Sequence, residues 1–229
     1  MKVACYTGTK NLYPLMVPAV KSLIKNTTVD KVYLLIEDDD FPYPLPNFVE
    51  TINISDQTWF KPGGPNMDSP FTYMAMIRAA LCHIFPKINT ILSLDVDTIF
   101  LKPCSEIWDL PIDNCYFAAS QEPSRCRGGL LYCNTGIALY NLKKLRDGKA
   151  DEIIEVLNRH AFDNLEQDVF SYLCQGFIYD MPSDYNVTNF TVPTTVKKVA
   201  HFAGCKDWSK KREYLQYKHT SWEDILANR

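Results

Sequence analysis

The segment 90–100 constrains the fold of this chain more than any other part of the sequence. It reads Thr-Ile-Leu-Ser-Leu-Asp-Val-Asp-Thr-Ile-Phe, so a hydrophobic run with β-branched residues ends at two carboxylates, Asp95 and Asp97, before a second hydrophobic run begins. The first run predicts a buried parallel strand of an α/β sheet. Asp95 and Asp97 are therefore expected at or just past the carboxyl end of that strand, where open α/β sheets bind their ligands.

These two carboxylates indicate a cation site. Two like charges this close together are costly to bury unless a cation joins them. A hard divalent cation, held by the oxygens of Asp95 and Asp97 and by the phosphates of a substrate, would serve. The alternative is a solvated turn after a strand, but an Asp-x-Asp that ends a strongly hydrophobic strand favours the cation.

Composition limits the class of protein. The chain has 229 residues, of which 46% are hydrophobic and 22% charged, as is usual for a globular domain with a sizeable core. The net charge of −3 argues against nucleic-acid binding. Eight cysteines without a Cys-x-x-Cys pair predict reduced thiols, and the amino end turns polar too early for a signal peptide, so we expect a cytoplasmic protein.

The hydrophobic pattern predicts an α/β fold. Strands are predicted over residues 2–7, 31–36, 49–54 and the segment that ends at Asp95, with helices over 13–25 and 71–84. This β-α-β-β-α-β order favours a mostly parallel, Rossmann-like sheet. Further strands are predicted over 115–119, 130–141, 177–180 and 196–202, and further helices over 151–160 and 165–173. We predict one domain, 1–229, with a nucleotide-binding half (about 1–101) that abuts a half (about 102–229) supplying the acceptor side and a metal ligand.

Five segments form a pattern in sequence order. They are Arg78, Asp95-Val96-Asp97, Tyr132-Cys-Asn134-Thr-Gly136-Ile-Ala-Leu-Tyr-Asn-Leu142, Leu165-Glu166-Gln167-Asp168-Val-Phe170, and His201-Phe-Ala-Gly204-Cys-Lys206-Asp-Trp208. Together they resemble the retaining glycosyltransferases of family eight, the group that includes glycogenin and the bacterial lipooligosaccharide galactosyltransferases. The resemblance covers nearly the whole chain, and it implies the GT-A fold with two abutting halves.

The resemblance implies a metal site and a diphosphate site. Asp95 and Asp97 match the Asp-x-Asp motif of the family, and His201 matches its third metal ligand. This ligand set suits Mn²⁺ better than Ca²⁺, with Mg²⁺ as the alternative ion. Gly204 would let the backbone approach the donor's diphosphate, and Lys206 would add a positive charge to it.

The resemblance also assigns residues to the sugar donor. Glu166 would hold sugar hydroxyls, and Gln167 and Asp168 would lie near the β-face of the anomeric carbon. The remaining donor-binding residues implied by the resemblance are Arg78, Asp95, Val96, Asn134 and Gly136 around the sugar and ribose, and Tyr6, Thr7, Asn11 and Tyr13 around uracil and ribose.

The implied reaction is the metal-dependent, retaining transfer of a hexose, glucose or galactose, from a UDP-sugar to an unidentified acceptor. The chemistry of the residues agrees, because a metal and Lys206 neutralise the leaving diphosphate without a general acid. A front-face route is our hypothesis, with Gln167 and Asp168 stabilising an oxocarbenium-like transition state.

The sequence departs from the family pattern in two places near the site. Glu166 stands where the family usually has Asp, and it is one methylene longer. The segment from His201 to Trp208 is one residue shorter than usual and lacks a proline before the tryptophan.

Two other functions stay open. A catalytically silent module that binds nucleotide sugars or glycans would retain the same fold. A sugar-phosphate nucleotidyltransferase is less favoured, because its Gly-rich amino-terminal loop with a basic motif is not in this sequence.

The partners beyond the donor are open as well. The acceptor could be a glycan, a lipid-linked sugar, a protein or a small molecule, and the oligomeric state is not predicted. The basic and aromatic stretch 208–219 favours a solvated helix, with a weak peripheral contact to an anionic membrane as the alternative.

Overall fold

A seven-stranded sheet forms the centre of the computed structural model, which describes residues 1–67, 69 and 71–227. The strands of the chain are β1 (Val3–Thr7), β2 (Lys31–Ile36), β3 (Val49–Asn53), β4 (Thr90–Leu94), β5 (Thr98–Phe100), β6 (Phe117–Gln121), β7 (Cys133–Asn141), β8 (Ile178–Asp180) and β9 (Val199–His201). The sheet order is β3-β2-β1-β4-β7-β6-β8, and every strand except β7 runs in the same direction. The predicted α/β fold with a mostly parallel central sheet is confirmed.

Helices cover both faces of this sheet. They are α1 (Tyr13–Asn26), α2 (Leu81–Ile84), α3 (Leu142–Leu145), α4 (Lys149–Arg159), α5 (Leu165–Leu173), α6 (Arg212–Lys218) and α7 (Trp222–Leu226). The core is accordingly split by the sheet: Ala4 and Tyr6 of β1 pack on the side of α1, while Val3 and Cys5 pack on the side of α4 and α5. Within the described part of the chain, no helix has both the length and the hydrophobicity that a membrane crossing requires.

The segment 71–84 differs from the single helix predicted for it. A 3-10 helix, Tyr73–Ala80, comes first and the short α2 follows. Tertiary packing explains the difference, because residues 76–80 are all buried between the sheet, α4 and α5. A segment enclosed in this way does not present one hydrophobic face, and an eight-residue 3-10 helix is unusually long.

The antiparallel strand β7 brings its amino end to the edge of the sheet where the parallel strands end. Leu94 pairs with Ile137, and the backbone N–H of Asp95 donates to the carbonyl of Gly136 at 2.7 Å. The pairing of β6 with β7 is irregular, since Ala119 faces Ala138 but Ser120 already faces Asn134. The intervening residues of β7 are free of this ladder, as is common where a bulge lies next to a functional site.

A separate two-stranded ribbon completes this edge. β5 pairs antiparallel with β9, and Thr98 lies opposite His201. The N–H of Phe202 donates to the carbonyl of Asp97 at 3.0 Å, which holds the end of β9 beside the Asp-x-Asp segment. The division of the domain near residue 101 stays a prediction, while the sheet itself takes strands from both sides of that position.

Candidate active site

A cavity of about 540 Å³ opens at the edge of the sheet where β1, β4 and β6 end. The predicted site residues that line it are Thr7, Arg78, Asp95, Val96, Asp97, Asn134, Gly136, Glu166, Gln167, His201 and Gly204. Residues from distant parts of the sequence therefore meet here, as expected for the carboxyl edge of a parallel sheet.

Five predicted residues do not line this cavity. Tyr6 is fully buried in the core, where its hydroxyl donates to the carbonyl of Ala19 at 3.3 Å. Tyr13 is also buried and donates to Asp38 at 2.9 Å. The other three are Asn11 and Lys206, which are exposed, and Asp168, which is buried beside the cavity. The structure does not bring the side chains of these five residues to the cavity surface.

Asp95, Asp97 and His201 form a compact cluster on the cavity floor. The Nε2 atom of His201 lies 3.5 Å from Oδ2 of Asp95 and 3.3 Å from Oδ1 of Asp97. One ligand atom from each residue can be chosen so that all lie within 4.8 Å of one another. Two carboxylates and an imidazole at this spacing fit a divalent cation.

The buried Asn186 orients the imidazole of His201. Nδ1 of His201 lies 2.8 Å from Oδ1 of Asn186, and Nδ2 of Asn186 donates to Oδ1 of Asn134 at 3.0 Å. Since the amide nitrogen of Asn186 is used in this way, its oxygen accepts a hydrogen bond from Nδ1–H of His201. Nε2 of His201 is then the atom that faces the two carboxylates, which is the arrangement of a metal-ligating histidine with a supporting partner.

Charge within the cluster shifts the pKa values of its members. Burial by itself would lower the pKa of His201, but the charges and hydrogen bonds of Asp97 and Asp95 raise it to about 10. Burial would raise the pKa of Asp95, yet Arg78 and His201 hold it well below its ordinary value. In the absence of a metal, the positive charge of His201 thus joins the two carboxylates.

The backbone of Gly136 lies directly against the side chains of His201 and Asp95. A Cβ atom at this position would lie 2.2 Å from Cε1 of His201 and 2.5 Å from Oδ2 of Asp95. Neither distance is compatible with van der Waals contact, so only glycine allows β7 to approach the cluster this closely.

Arg78 links the cluster of Asp95, Asp97 and His201 to α5. Its guanidinium contacts the carboxylates of both Asp95 and Glu166, and only 5% of its side chain is exposed. Thr135 Oγ1 also donates to Glu166, at 3.2 Å. Burial raises the pKa of Glu166 more than the charge of Arg78 lowers it. A buried arginine that is shared by two carboxylates holds both in fixed positions.

A second polar network lies beside the first and contains residues that the motifs did not reveal. Nδ2 of Asn134 donates to Oε1 of Glu122 at 2.7 Å, and Nε2 of Gln167 points to the same oxygen at 3.4 Å. The other oxygen of Glu122 lies 3.2 Å from Nε of Arg125. Glu122 is almost completely buried.

Sequence reasoning assigned no role to Glu122, Tyr132, Thr135 or Asn186. Glu122 follows the end of β6, so the rule that identified Asp95 after β4 could have identified it. Tyr132 and Thr135 flank the recognised Asn134. Asn186 begins an Asn-Val-Thr sequence, but no catalytic motif marks it, and only the fold places it against His201.

Leu165 has an unusual backbone conformation at the start of α5. It is the one non-glycine residue with a positive φ among the described residues, with φ 48°. For a leucine this left-handed conformation costs about 1 kcal/mol or more. It directly precedes Glu166, so the strain lies where α5 enters the cavity.

Solved structures with the same fold are glycosyltransferases. The glycosyltransferase GlyE of Streptococcus pneumoniae TIGR4 superposes with a TM-score of 0.75 at 17% identity, covering 99% of this chain and 62% of GlyE. The galactosyltransferase LgtC, solved in complex with donor and acceptor sugar analogs, superposes with a TM-score of 0.70 at 17% identity, covering 99% of this chain and all of LgtC. These likenesses establish the GT-A fold.

The sequence establishes the family. The model of the family described as "Glycosyl transferase family 8" matches residues 6–212, so the chain belongs to this family. A Haemophilus influenzae protein named "Putative glycosyltransferase" is 25% identical over 163 residues, with 60% of this chain and 49% of that protein covered. The chain thus spans about half the length of this relative.

Proposed function

We propose that this protein is a metal-dependent, retaining glycosyltransferase that moves a hexose, glucose or galactose, from a UDP-sugar to an acceptor. The observation that supports this most is the meeting of Asp95, Asp97 and His201 in one cavity with Arg78 and Glu166. The cavity thus combines groups that fit a divalent cation with buried groups that can bind sugar hydroxyls.

Asp95, Asp97 and His201 would hold the cation, with Mn²⁺ as the first choice and Mg²⁺ as the second. Bound there, the cation would supply positive charge to the departing diphosphate. Asn186 keeps Nε2 of His201 directed at the site, and Gly136 leaves room for the cluster. Gly204 lines the same cavity with φ 71°, so its backbone can approach a phosphate closely.

Glu166 and Arg78 are proposed to bind the donor sugar. Oε1 of Glu166 accepts hydrogen bonds from both Arg78 and Thr135, which leaves Oε2 to accept hydrogen bonds from sugar hydroxyls. Thr7 and Val96, which also line the cavity, are proposed to contact the nucleoside part of the donor. Gln167 also lines the cavity and is proposed to stabilise positive charge at the anomeric carbon.

Lys206 is proposed to reach the diphosphate only after its segment moves. It is exposed and does not line the cavity, although Gly204 and Trp208 on either side of it do. Closure of such a segment over a bound donor would exclude water from the cavity.

We also propose a cytoplasmic location, since all eight cysteines are free thiols, as suits a reducing compartment. The acceptor is unidentified. The basic stretch 208–219 is partly folded as α6, whose Tyr214 and Tyr217 pack into the core, in keeping with the solvated-helix interpretation.

Calorimetric titration tests the donor site. UDP, UDP-glucose and UDP-galactose are titrated with and without Mn²⁺ into wild type, Asp97→Ala and the control Asp113→Ala, whose exposed carboxylate does not line the cavity. We expect Mn²⁺-dependent binding that Asp97→Ala abolishes and Asp113→Ala retains. Failure of every UDP species to bind would contradict the proposal.

A turnover assay separates the enzyme from a silent binding module. UDP released from each UDP-sugar in the presence of Mn²⁺ is measured over time, without an acceptor and with candidate sugars. Slow release without an acceptor and faster release with one are expected of a transferase. Tight binding without any release under either condition would favour the silent module.

A further inference from the structure

The carboxylate of Asp168 accepts three hydrogen bonds from its own surroundings. The hydroxyl of Tyr132 donates to Oδ1 at 2.5 Å, and Asn164 donates to Oδ2 through its backbone N–H at 3.0 Å and to Oδ1 through its side chain at 3.1 Å. Asp168 is 8% exposed and does not line the cavity. To reach a substrate, it would have to give up these bonds.

The hydroxyl of Tyr132 has a single proton, which determines the group that donates and the group that accepts in each of its hydrogen bonds. An ionised carboxylate can only accept, so the hydroxyl proton of Tyr132 goes to Asp168. The hydroxyl oxygen is then an acceptor, and Nε2 of Gln167 donates to it at 3.1 Å. The short charge-assisted bond to Asp168 fixes the hydroxyl in this orientation.

This direction determines which way the Gln167 amide faces. Its NH₂ group points to Tyr132 and to Oε1 of Glu122, while its carbonyl oxygen accepts from the N–H of Thr135 at 3.2 Å. In the reversed amide, the carbonyl oxygen would meet the carboxylate of Glu122 and a lone pair of Tyr132. That alternative has two repulsive contacts, so one orientation of the amide is strongly preferred.

Arg125 contacts both Glu122 and Tyr132 and so helps to hold the two groups that face the Gln167 amide. Its Nε lies 3.2 Å from Oε2 of Glu122, and its guanidinium lies 5.5 Å from the centre of the Tyr132 ring. Glu122 thereby keeps one oxygen directed at Gln167. All members of the network have partners, as is required of a buried polar network that holds one geometry.

We propose that Tyr132 and Asp168 are positioning residues that fix the side-chain amide of Gln167 with its carbonyl oxygen available to the reacting sugar. Thr135 uses one lone pair of that oxygen, and the other is free for the developing positive charge at the anomeric carbon. Asp168 acts through Tyr132 and does not contact the substrate. The inference rests on the proposed transferase function and replaces the direct stabilising role that the sequence predicted for Asp168.

The test measures UDP release from UDP-galactose and UDP-glucose with Mn²⁺. Tyr132→Phe removes the hydroxyl, so the Gln167 amide can rotate, and we expect kcat to fall at least tenfold while KM changes less than twofold. The control is Tyr172→Phe, a neighbouring exposed tyrosine whose ring centre lies 6.2 Å from that of Tyr132, and it should match wild type. A kcat of Tyr132→Phe equal to that of wild type would overturn the proposal.

Variants of Asp168 distinguish positioning from direct participation. The carboxamide oxygen of Asp168→Asn can still accept a hydrogen bond from the hydroxyl of Tyr132, so we expect this variant to retain much more activity than Asp168→Ala. Asp168→Ala should resemble Tyr132→Phe. If Asp168→Asn instead loses all turnover while Tyr132→Phe loses little, Asp168 takes part in the reaction directly and the proposal is wrong.

A measurement without substrate separates this inference from the proposed function. The side-chain amide of Gln167 is followed by ¹⁵N NMR, assigned by comparison with Gln167→Glu. Its resonances should shift and exchange faster with solvent in Tyr132→Phe but not in Tyr172→Phe. Unchanged resonances in Tyr132→Phe would overturn the positioning role, whereas a wild type that releases no UDP would overturn the transferase function alone.

Discussion

The backbone of Gly136 lies closer to the side chains of His201 and Asp95 than the backbone of a residue with a Cβ atom could. Because a Cβ atom here would come within 2.2 Å of the imidazole, Gly136→Ala must push His201 or β7 out of place. We expect the Kd for Mn²⁺, measured by calorimetry, to rise at least a hundredfold. Such displacement costs stability as well, by about 1–3 kcal/mol.

The control for this variant separates lost stability from lost metal binding. Gly176→Ala introduces strain at φ 79°, yet an added Cβ meets nothing within 4 Å. It should therefore destabilise the fold by about 1 kcal/mol and leave the Kd for Mn²⁺ unchanged. Wild-type Mn²⁺ binding by Gly136→Ala would contradict the arrangement of the cluster.

His201 should make the metal-free protein sensitive to pH. Its pKa is raised to about 10 from an ordinary value of 6.5, so its contribution to stability is complete below pH 6.5 and is lost as pH rises through about 10. The free energy of unfolding of wild type relative to His201→Gln should therefore decrease between pH 7 and pH 10. Urea denaturation in the presence of a chelator measures this difference.

Other groups titrate in the same range, which is why the difference between the two proteins is needed. Burial raises the pKa of the Cys82 and Cys104 thiols to about 11, and these thiols lower the stability of both proteins at high pH. Their effect cancels in the comparison. A constant difference from pH 7 to pH 10 would show that His201 is not held by the two carboxylates.

At the scale of elements, β9 depends on the residue just before it. Lys198 donates to Glu106 at 2.6 Å, lies 3.1 Å from Asp184, and donates to the Tyr185 hydroxyl at 3.1 Å. These contacts fasten the start of β9 to the segment that precedes Asn186. The position of His201 at the other end of this short strand therefore relies on Lys198.

Replacement of Lys198 should weaken metal binding although Lys198 does not contact the metal ligands. Lys198→Met should lower stability by about 1 kcal/mol, since these bonds are partly exposed to solvent, and raise the Kd for Mn²⁺ several-fold. The neighbouring Lys197 is exposed, so Lys197→Met should change neither quantity. Thermal unfolding and calorimetry measure both, and an equal effect of the two substitutions would contradict the role of Lys198.

The elements differ in how far sequence could predict them. β2 and α5 have the predicted bounds, because β2 is a nearly continuous hydrophobic run and α5 carries its hydrophobic residues at helical spacing. The 3-10 helix Tyr73–Ala80 was predicted as part of an α-helix, because its conformation depends on enclosure by distant elements.

The same contrast holds within the site. Asp95 and Asp97 are carboxylates directly after a hydrophobic strand, and His201 belongs to a family motif. The structure brings the three side chains together. The partners that orient them, Asn186 and Tyr132, act through contacts with residues far away in the sequence. Tyr6 was predicted near uracil and ribose, by stacking and backbone contacts, and sequence alone does not tell that its side chain lies fully buried in the core.

At the scale of the whole molecule, a cation bound by Asp95, Asp97 and His201 should raise the free energy of unfolding of the entire domain. The two cores lie on opposite faces of one sheet, so we expect them to unfold together. Mn²⁺ at a hundred times its Kd would then stabilise the protein by about 2.7 kcal/mol. For a domain of this size, that is a rise in Tm of roughly 5–10 °C.

Scanning calorimetry with and without Mn²⁺ measures this shift. A chelator should reverse it, and Asp97→Asn should show little or no shift because one ligand has lost its charge. Addition of UDP should increase the shift in wild type only. The same rise in Tm for wild type and Asp97→Asn would place the ion elsewhere.

The pairing of β5 with β9 also has a consequence for how the protein is made. The ribosome releases Asp95 and Asp97 long before His201 has been synthesised, and β5 has no strand to pair with until β9 emerges. A half-finished chain therefore carries two carboxylates without the histidine that completes the cluster. Catalytic competence arrives late in translation, after most of the walls of the cavity have been made.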